Sequence, residues 1–283
     1  MAPQQTRVGE LTVTVVRPSV PSSKPPILLI HGMFGGGWMW EPYQSLLARH
    51  GYESHALTLR GHHHSRRVPD VGKVSVADYV DDALEVARTL PAPIIIGHSM
   101  GGLIAQKVGE RGVGRALVLI GAAPPRWIPA LSAELARRLV TYLKELLFMQ
   151  PMFPSRDDAD ALMFNRTPAA QADDEYRRLV PESGRAALEM AFGAHAVHAP
   201  RITAPVLVIT GREDRFVVPR VARAIARKYR AELREYDNFA HHIINEPGWE
   251  APAAEIVEWL DARARTSDES RERTSDGSSV NAR

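Results

Sequence analysis

The segment Gly97-His98-Ser99-Met100-Gly101 follows the apolar run Ile94-Ile95-Ile96 and precedes a helical stretch carrying Leu103, Ile104, Lys107 and Val108. A serine between glycines two residues away on either side fits a very sharp strand-to-helix turn, because the strained backbone leaves no room for flanking side chains. Such a turn presents the hydroxyl near a helix N-terminus, where backbone N–H groups can receive a developing oxyanion. A serine hydroxyl needs a base, and the base needs an orienting acid. Two later segments supply them. The apolar run Val206–Thr210 is followed by Gly211-Arg212-Glu213-Asp214, which offers two carboxylates where ligands gather at the end of a parallel strand. Asn238-Phe239-Ala240-His241-His242 offers two imidazoles before the final helix.

These groups must be positioned by the elements between them. Strands are expected at Leu11–Val16, Ile27–Ile30, Ser54–Leu59, Ile94–Ile96, Ala116–Ile120, Val206–Thr210 and Glu232–Tyr236, and helices at Glu41–His50, Asp78–Leu90, Val218–Tyr229 and Trp249 to about Ala264. Short apolar strands alternating with helices predict an α/β fold with a mostly parallel sheet covered on both faces. From Ala123 to about Pro200 no strand pattern occurs. Leu131, Leu135, Leu139, Leu143 and Leu147 recur at helical spacing, Ser155 and Thr167-Pro168 read as helix starts, and Pro181–His195 reads as a further helix. The expected organisation is therefore a core of residues 1–122 and 201–265, an all-helical insertion at 123–200, and a disordered tail at 266–283, where Ser, Asp, Glu and Arg leave almost nothing apolar.

The pieces His31-Gly32-Met33-Phe34, Gly97-His98-Ser99-Met100-Gly101-Gly102, Gly211-Arg212-Glu213-Asp214 and Ala240-His241, in this order, resemble the α/β-hydrolase superfamily over roughly residues 8–264. The stretch from His31 to Arg60, with Trp38-Met39-Trp40, and Leu59-Arg60-Gly61-His62 resemble its small carboxylesterase and methylesterase branch. The resemblance implies an α/β-hydrolase fold with Ser99 as nucleophile, Asp214 as acid and His241 as base. It implies an oxyanion hole from the N–H groups of Met33 and Met100, with Phe34 as the alternative donor, and it makes 123–200 a cap over the serine. Ala240 stands where the family usually has Gly, and His62-His63-His64 replaces the usual His-Gly after Arg-Gly.

Other readings compete at single positions. Glu213 rivals Asp214, and His242 rivals His241 as a pocket neighbour. His98 and His31 read as packing or loop-shaping residues, Asp81-Asp82 as a solvated helix face, and His62-His63-His64 as a solvated loop, since three adjacent residues cannot easily face one metal ion. No metal and no cofactor are expected. In the segment 123–200, Met149, Met152, Met163, Met190, Phe148, Phe153, Phe164 and Phe192 read mainly as packing, with a few of them, Trp127 and Phe34 touching substrate.

The chain has 283 residues, a net charge of +2 and no cysteine, which excludes a thiol nucleophile and a basic nucleic-acid footprint. Residues 1–10 contain no apolar leader, no run approaches the roughly 20 apolar residues of a membrane span, and a cytoplasmic location is expected. Together these readings predict a serine esterase for small to medium hydrophobic esters, lactones or thioesters. Two other classes stay open: the same triad used for C–C cleavage, perhydrolysis or hydroxynitrile lysis, and a non-catalytic receptor on a hydrolase body. Lyases of this shape usually carry a cap lysine, and Lys144 is the only one here.

Overall fold

The computed structural model describes residues 2–276. Strands β1 (Gln4–Val8) and β2 (Leu11–Val16) form a hairpin, followed by β3 (Ile27–Ile30), α1 (Glu41–Arg49), β4 (Ser54–Thr58), α2 (Val76–Ala87), β5 (Ile94–His98), α3 (Met100–Glu110) and β6 (Ala116–Ile120). An insertion then carries α4 (Ala133–Leu139), α5 (Leu143–Leu147), β7 (Pro151–Met152), α6 (Arg156–Leu162), α7 (Ala169–Arg177), β8 (Glu182–Ser183) and α8 (Gly184–Ala191). The alternation resumes with β9 (Val206–Gly211), α9 (Pro219–Tyr229), β10 (Glu232–Tyr236) and α10 (Glu250–Asp276).

Eight strands make one sheet in the order β1-β2-β4-β3-β5-β6-β9-β10, antiparallel at β1-β2 and β2-β4 and parallel elsewhere. Successive strand residues point to opposite faces. Leu28, Ile30, Ile95, Leu117, Leu119 and Val208 therefore pack with α2, α3 and α9, while Ile27, Leu29, Ile94, Ile96, Val118 and Ile209 pack with α1 and α10. Both faces are covered, which is why these strands read as unbroken apolar runs. The chain steps from β3 outward to β4 and then returns to place β5 on the other side of β3. This reversal is a topological switch point, where ligands enter an open α/β sheet. Its register, with Ile30 beside Gly97, brings the loop after β3 against the serine turn after β5.

The structure departs from the sequence expectations in four places. Strand β1 is polar and exposed, so no apolar pattern announced it; backbone pairing to β2 alone makes it a strand. The insertion is not all-helical, because β7 and β8 pair antiparallel across Pro151–Ser183 and Met152–Glu182. The leucine series does not make one helix: α4 and α5 are separated by a 3-10 turn at Val140–Tyr142, with Leu135 and Leu146 buried while Leu143 and Leu147 face solvent. Within the tail expected to be disordered, 266–276 continue α10, since extending an existing helix avoids the cost of nucleating a new one; 277–283 lie outside the described residues. No helix among the described residues is long and apolar enough to cross a membrane.

Candidate active site

Ser99 adopts φ +54°, a left-handed backbone rare for a residue with a side chain. The flanking glycines explain how the turn closes. A Cβ on Gly97 would lie 2.1 Å from the Gly101 carbonyl oxygen, and one on Gly101 would lie 2.2 Å from the Ile30 oxygen. The Ser99 N–H donates to the Ile120 carbonyl (3.0 Å), pinning the elbow to the neighbouring strand.

His241 follows β10 and brings Nε2 to 3.0 Å from Ser99 Oγ and Nδ1 to 2.9 Å from Asp214 Oδ2. Asp214 follows β9. Its Oδ1 accepts the N–H groups of Phe216 (2.9 Å) and Val217 (2.8 Å), which fixes the carboxylate before His241 is considered. Serine, imidazole and carboxylate are all buried, and the Phe216 ring meets His241 edge-on at 4.9 Å. A serine able to pass its proton to an imidazole oriented by a carboxylate can attack a carbonyl.

The rival residues lie elsewhere. The Glu213 side chain is half-exposed, 3.7 Å from Arg166. His242 is buried on the far side, with Nδ1 2.7 Å from Glu175 Oε2 of α7. Two groups hold the histidine loop. Glu246 accepts the N–H groups of Ala240 (2.7 Å) and His242 (3.1 Å), straddling His241. His98 Nε2 donates to the His241 carbonyl (2.8 Å); burial, then the neighbouring His241 and His242, hold its pKa well below the usual histidine value, so this ring is a neutral strut. Ala240 is fully buried without positive φ, so a residue with a Cβ fits where glycine is usual.

Among the described residues, neither the Met33 N–H nor the Met100 N–H has a hydrogen-bond partner. The Phe34 N–H donates to Glu182 Oε2 (3.2 Å). A cavity of about 90 Å³ opens at Ser99, walled by Met33, Phe34 and Phe216 of the core and by Leu135, Met152 and Met190 of the insertion. Every lining residue except Ser99 is apolar. Trp127, expected at this pocket, is 85% exposed and outside it: its left-handed backbone turns the ring to solvent, where Arg126 packs over it at 5.2 Å. Phe148, Phe153 and Phe192 are likewise exposed. Lys144 is exposed and does not line the cavity.

Each of the two segments read as solvated contains one buried residue. Asp82 is fully buried because Arg60 and Arg66 both pair with it, at 2.7 and 3.0 Å. His62 is fully buried because Nε2 lies 3.1 Å from Glu182 Oε2, whereas His64 is exposed. Glu182 and Tyr79 were missed as candidates because their partners are set by tertiary packing rather than by spacing; Glu246 was missed although its partners lie only four and six residues away. Among the described residues no cluster of three or more His, Cys, Asp or Glu side chains could hold a metal ion.

Comparison with known proteins identifies the fold and the family. A monoacylglycerol lipase of Mycolicibacterium smegmatis is 27% identical over 260 residues, covering 78% of this chain and 89% of the relative. The crystal structure of Paleococcus ferrophilus monoacylglycerol lipase superposes with a TM-score of 0.70 at 20% identity, covering 89% of this chain and 98% of that one. The enol-lactonase from Burkholderia xenovorans LB400 gives 0.68 at 21% identity, covering 91% and 100%. The model of the alpha/beta hydrolase family matches residues 27–259, and the chain belongs to that family.

Proposed function

We propose that the protein is a serine esterase that cleaves carboxylic esters of small to medium hydrophobic acids through an acyl-enzyme on Ser99. The observation that carries this reading is the chain of contacts Ser99 Oγ to His241 Nε2 at 3.0 Å and His241 Nδ1 to Asp214 Oδ2 at 2.9 Å. His241 takes the hydroxyl proton as Ser99 attacks the ester carbonyl. Asp214 keeps the proton of Nδ1 in place and stabilises the imidazolium. The carbonyl oxygen becomes an oxyanion facing the N–H groups of Met33 and Met100. Collapse of this intermediate breaks the ester C–O bond, and His241 returns its proton to the departing alcohol. Water, deprotonated by His241, then attacks the acyl-enzyme and releases the acid and Ser99. No step requires a metal or cofactor.

The insertion serves as a cap whose apolar wall receives the acyl group, and its lining supports hydrophobic substrates. The mycobacterial relative's name adds monoacylglycerol-like esters to the substrates worth testing. Without a pocket lysine, nothing in the lining favours hydroxynitrile lysis.

The test is hydrolysis of p-nitrophenyl butyrate together with covalent labelling by a fluorophosphonate, comparing native protein with Ser99→Ala. Turnover and labelling are expected in the native protein. Both should be lost in the variant, turnover by about 10⁴-fold or more. A folded native protein that neither labels nor turns over any ester would show that the site is not catalytic.

A further inference from the structure

Phe34 sits in left-handed backbone, φ +64°, in the loop that brings Met33 to the serine. That loop is packed tightly on the nucleophile, since a Cβ on Gly32 would lie 2.9 Å from Ser99 Cβ. A bulky residue does not hold positive φ unless its surroundings determine it. The determining contacts come from the cap. The Val180 N–H donates to the Phe34 carbonyl (2.9 Å), and the Phe34 N–H donates to Glu182 Oε2 (3.2 Å). Both polar groups of the Phe34 backbone are thus held by a segment almost 150 residues away in sequence.

Glu182 is itself fully buried and fully committed. Its Oε2 also receives His62 Nε2 (3.1 Å), and its Oε1 receives the Tyr79 hydroxyl (2.6 Å) and the Ser183 N–H (2.7 Å). His62 Nδ1 faces the Arg60 carbonyl at 2.9 Å, so both ring nitrogens meet acceptors and the ring is held as the imidazolium. Burial opposes that charge, but Glu182 outweighs it and raises the His62 pKa, while burial of Glu182 is outweighed by His62, lowering the carboxyl pKa. The next ring, His31, is 5.0 Å from His62 and stays neutral: burial and the neighbouring His62 charge push it down to about 3. His31 Nε2 accepts the Leu59 N–H (3.1 Å), so Nδ1–H is left to donate to the Gly32 carbonyl (2.8 Å). The imidazolium compensates the carboxylate, so a buried negative charge can stand beside a site that must accept a second one.

We propose that Glu182 is a positioning residue for catalysis: by taking the Phe34 N–H it fixes the oxyanion loop in the conformation that leaves the Met33 N–H for the substrate oxygen. The proposal rests on the esterase reading. It makes the cap part of the catalytic machinery as well as a wall of the pocket, because moving the Val180–Glu182 segment releases the Phe34 backbone. Glu182 touches no substrate and acts only through the loop.

The experiment compares native protein, Glu182→Gln and Tyr79→Phe. In the first variant four donors meet one amide oxygen and one NH₂ group, so one side of the clamp loses its acceptor. In the second the carboxylate keeps its charge but loses one anchor. Two rates are measured per competent site, counted by exhaustive fluorophosphonate labelling: p-nitrophenyl butyrate turnover, and the rate of fluorophosphonate attack, which develops negative charge at the same donors. Glu182→Gln is expected to lower kcat and the labelling rate in parallel by about tenfold or more, with KM changed less than about twofold, because a small displacement of an oxyanion donor acts on the transition state. Tyr79→Phe should show the same pattern at smaller amplitude. A purely structural role would reduce the number of labelled sites and leave both rates per site at the native value, and that result overturns the proposal. So does a rise in KM at native kcat. If Glu182→Gln does not fold, Tyr79→Phe decides by the same criteria. If the native protein labels but cleaves no ester, the esterase reading fails while the labelling rates still decide on Glu182.

Discussion

Replacing Asp214 by asparagine separates orientation of the imidazole from the integrity of the loop. Asp214 Oδ1 accepts two backbone N–H groups, from Phe216 and Val217, while Oδ2 faces His241 Nδ1. An asparagine must put its one carbonyl oxygen where the two N–H donors are, because turning it round would oppose NH₂ to both. Its NH₂ then faces Nδ1 of His241 and donates to it. That selects the tautomer with hydrogen on Nε2, which presents a donor to Ser99 in place of a base. A triad held in the wrong tautomer loses about 10⁴ in kcat, or ~5 kcal/mol of transition-state stabilisation at 1.36 kcal/mol per decade. Stability should barely change, since the loop keeps its acceptor. Alanine at the same position does the opposite to the loop: two N–H donors lose their acceptor, at roughly 1–3 kcal/mol each, so Asp214→Ala should lower stability by about 2–6 kcal/mol as well as activity. The assay is ester turnover per fluorophosphonate-competent site, paired with denaturant unfolding of both variants. Asp214→Asn retaining more than about a tenth of native kcat, or Asp214→Ala matching Asp214→Asn in stability, would refute this account of the carboxylate.

Three further outcomes are expected. A cavity of about 90 Å³ holds on the order of three groups the size of a water molecule, so kcat/KM for p-nitrophenyl esters should climb about fourfold per methylene from acetate to butyrate and then fall, with Met190→Ala moving the optimum to longer chains; a flat profile would contradict it. Gly101→Ala, whose Cβ would meet the Ile30 and His31 carbonyl oxygens at 2.2 and 2.5 Å, should cost about 1–3 kcal/mol or more of stability and displace the serine elbow, and native-like unfolding together with native turnover would show that the backbone is freer than described. The His62–Glu182 pair should make stability depend on pH with a defined sign. His62 has a raised pKa, so its contribution is complete below its ordinary value of 6.5 and is lost as pH rises through the folded pKa; Glu182 has a lowered one, so its contribution is complete above 4.5 and is lost as pH falls through the folded pKa. The difference in thermal midpoint between native protein and His62→Gln should therefore be largest between these two values and shrink as pH rises through the folded pKa of His62, whereas a pH-independent difference would mean that the ring carries no charge.

The sequence by itself carried the chemistry that depends on local backbone. Gly97 and Gly101 around Ser99 report a turn too tight for a Cβ, and the apolar runs at Ile27–Ile30, Ile94–Ile96 and Val206–Thr210 report strands buried on both faces, because both constraints act within a few residues. The order of serine, carboxylate and histidine was legible for the same reason, each following its own strand. The choice of Asp214 over Glu213 came from family resemblance, and the structure supplies its physical basis in the two N–H groups that hold Oδ1.

What the tertiary structure alone decided are the contacts whose partners lie far apart in the chain. His62 and Asp82 looked solvated because their environment in sequence is polar; they are buried because Glu182, Arg60 and Arg66 neutralise them from other elements. Trp127 looked like a pocket residue because it is large and aromatic, yet the direction of its backbone puts it in solvent. Burial of a charge is set by its partner, and a partner on another element, 16, 22 or 120 residues distant, leaves no periodicity to read. That is why Ser99 was visible in the sequence, while the carboxylate that holds its oxyanion loop was not.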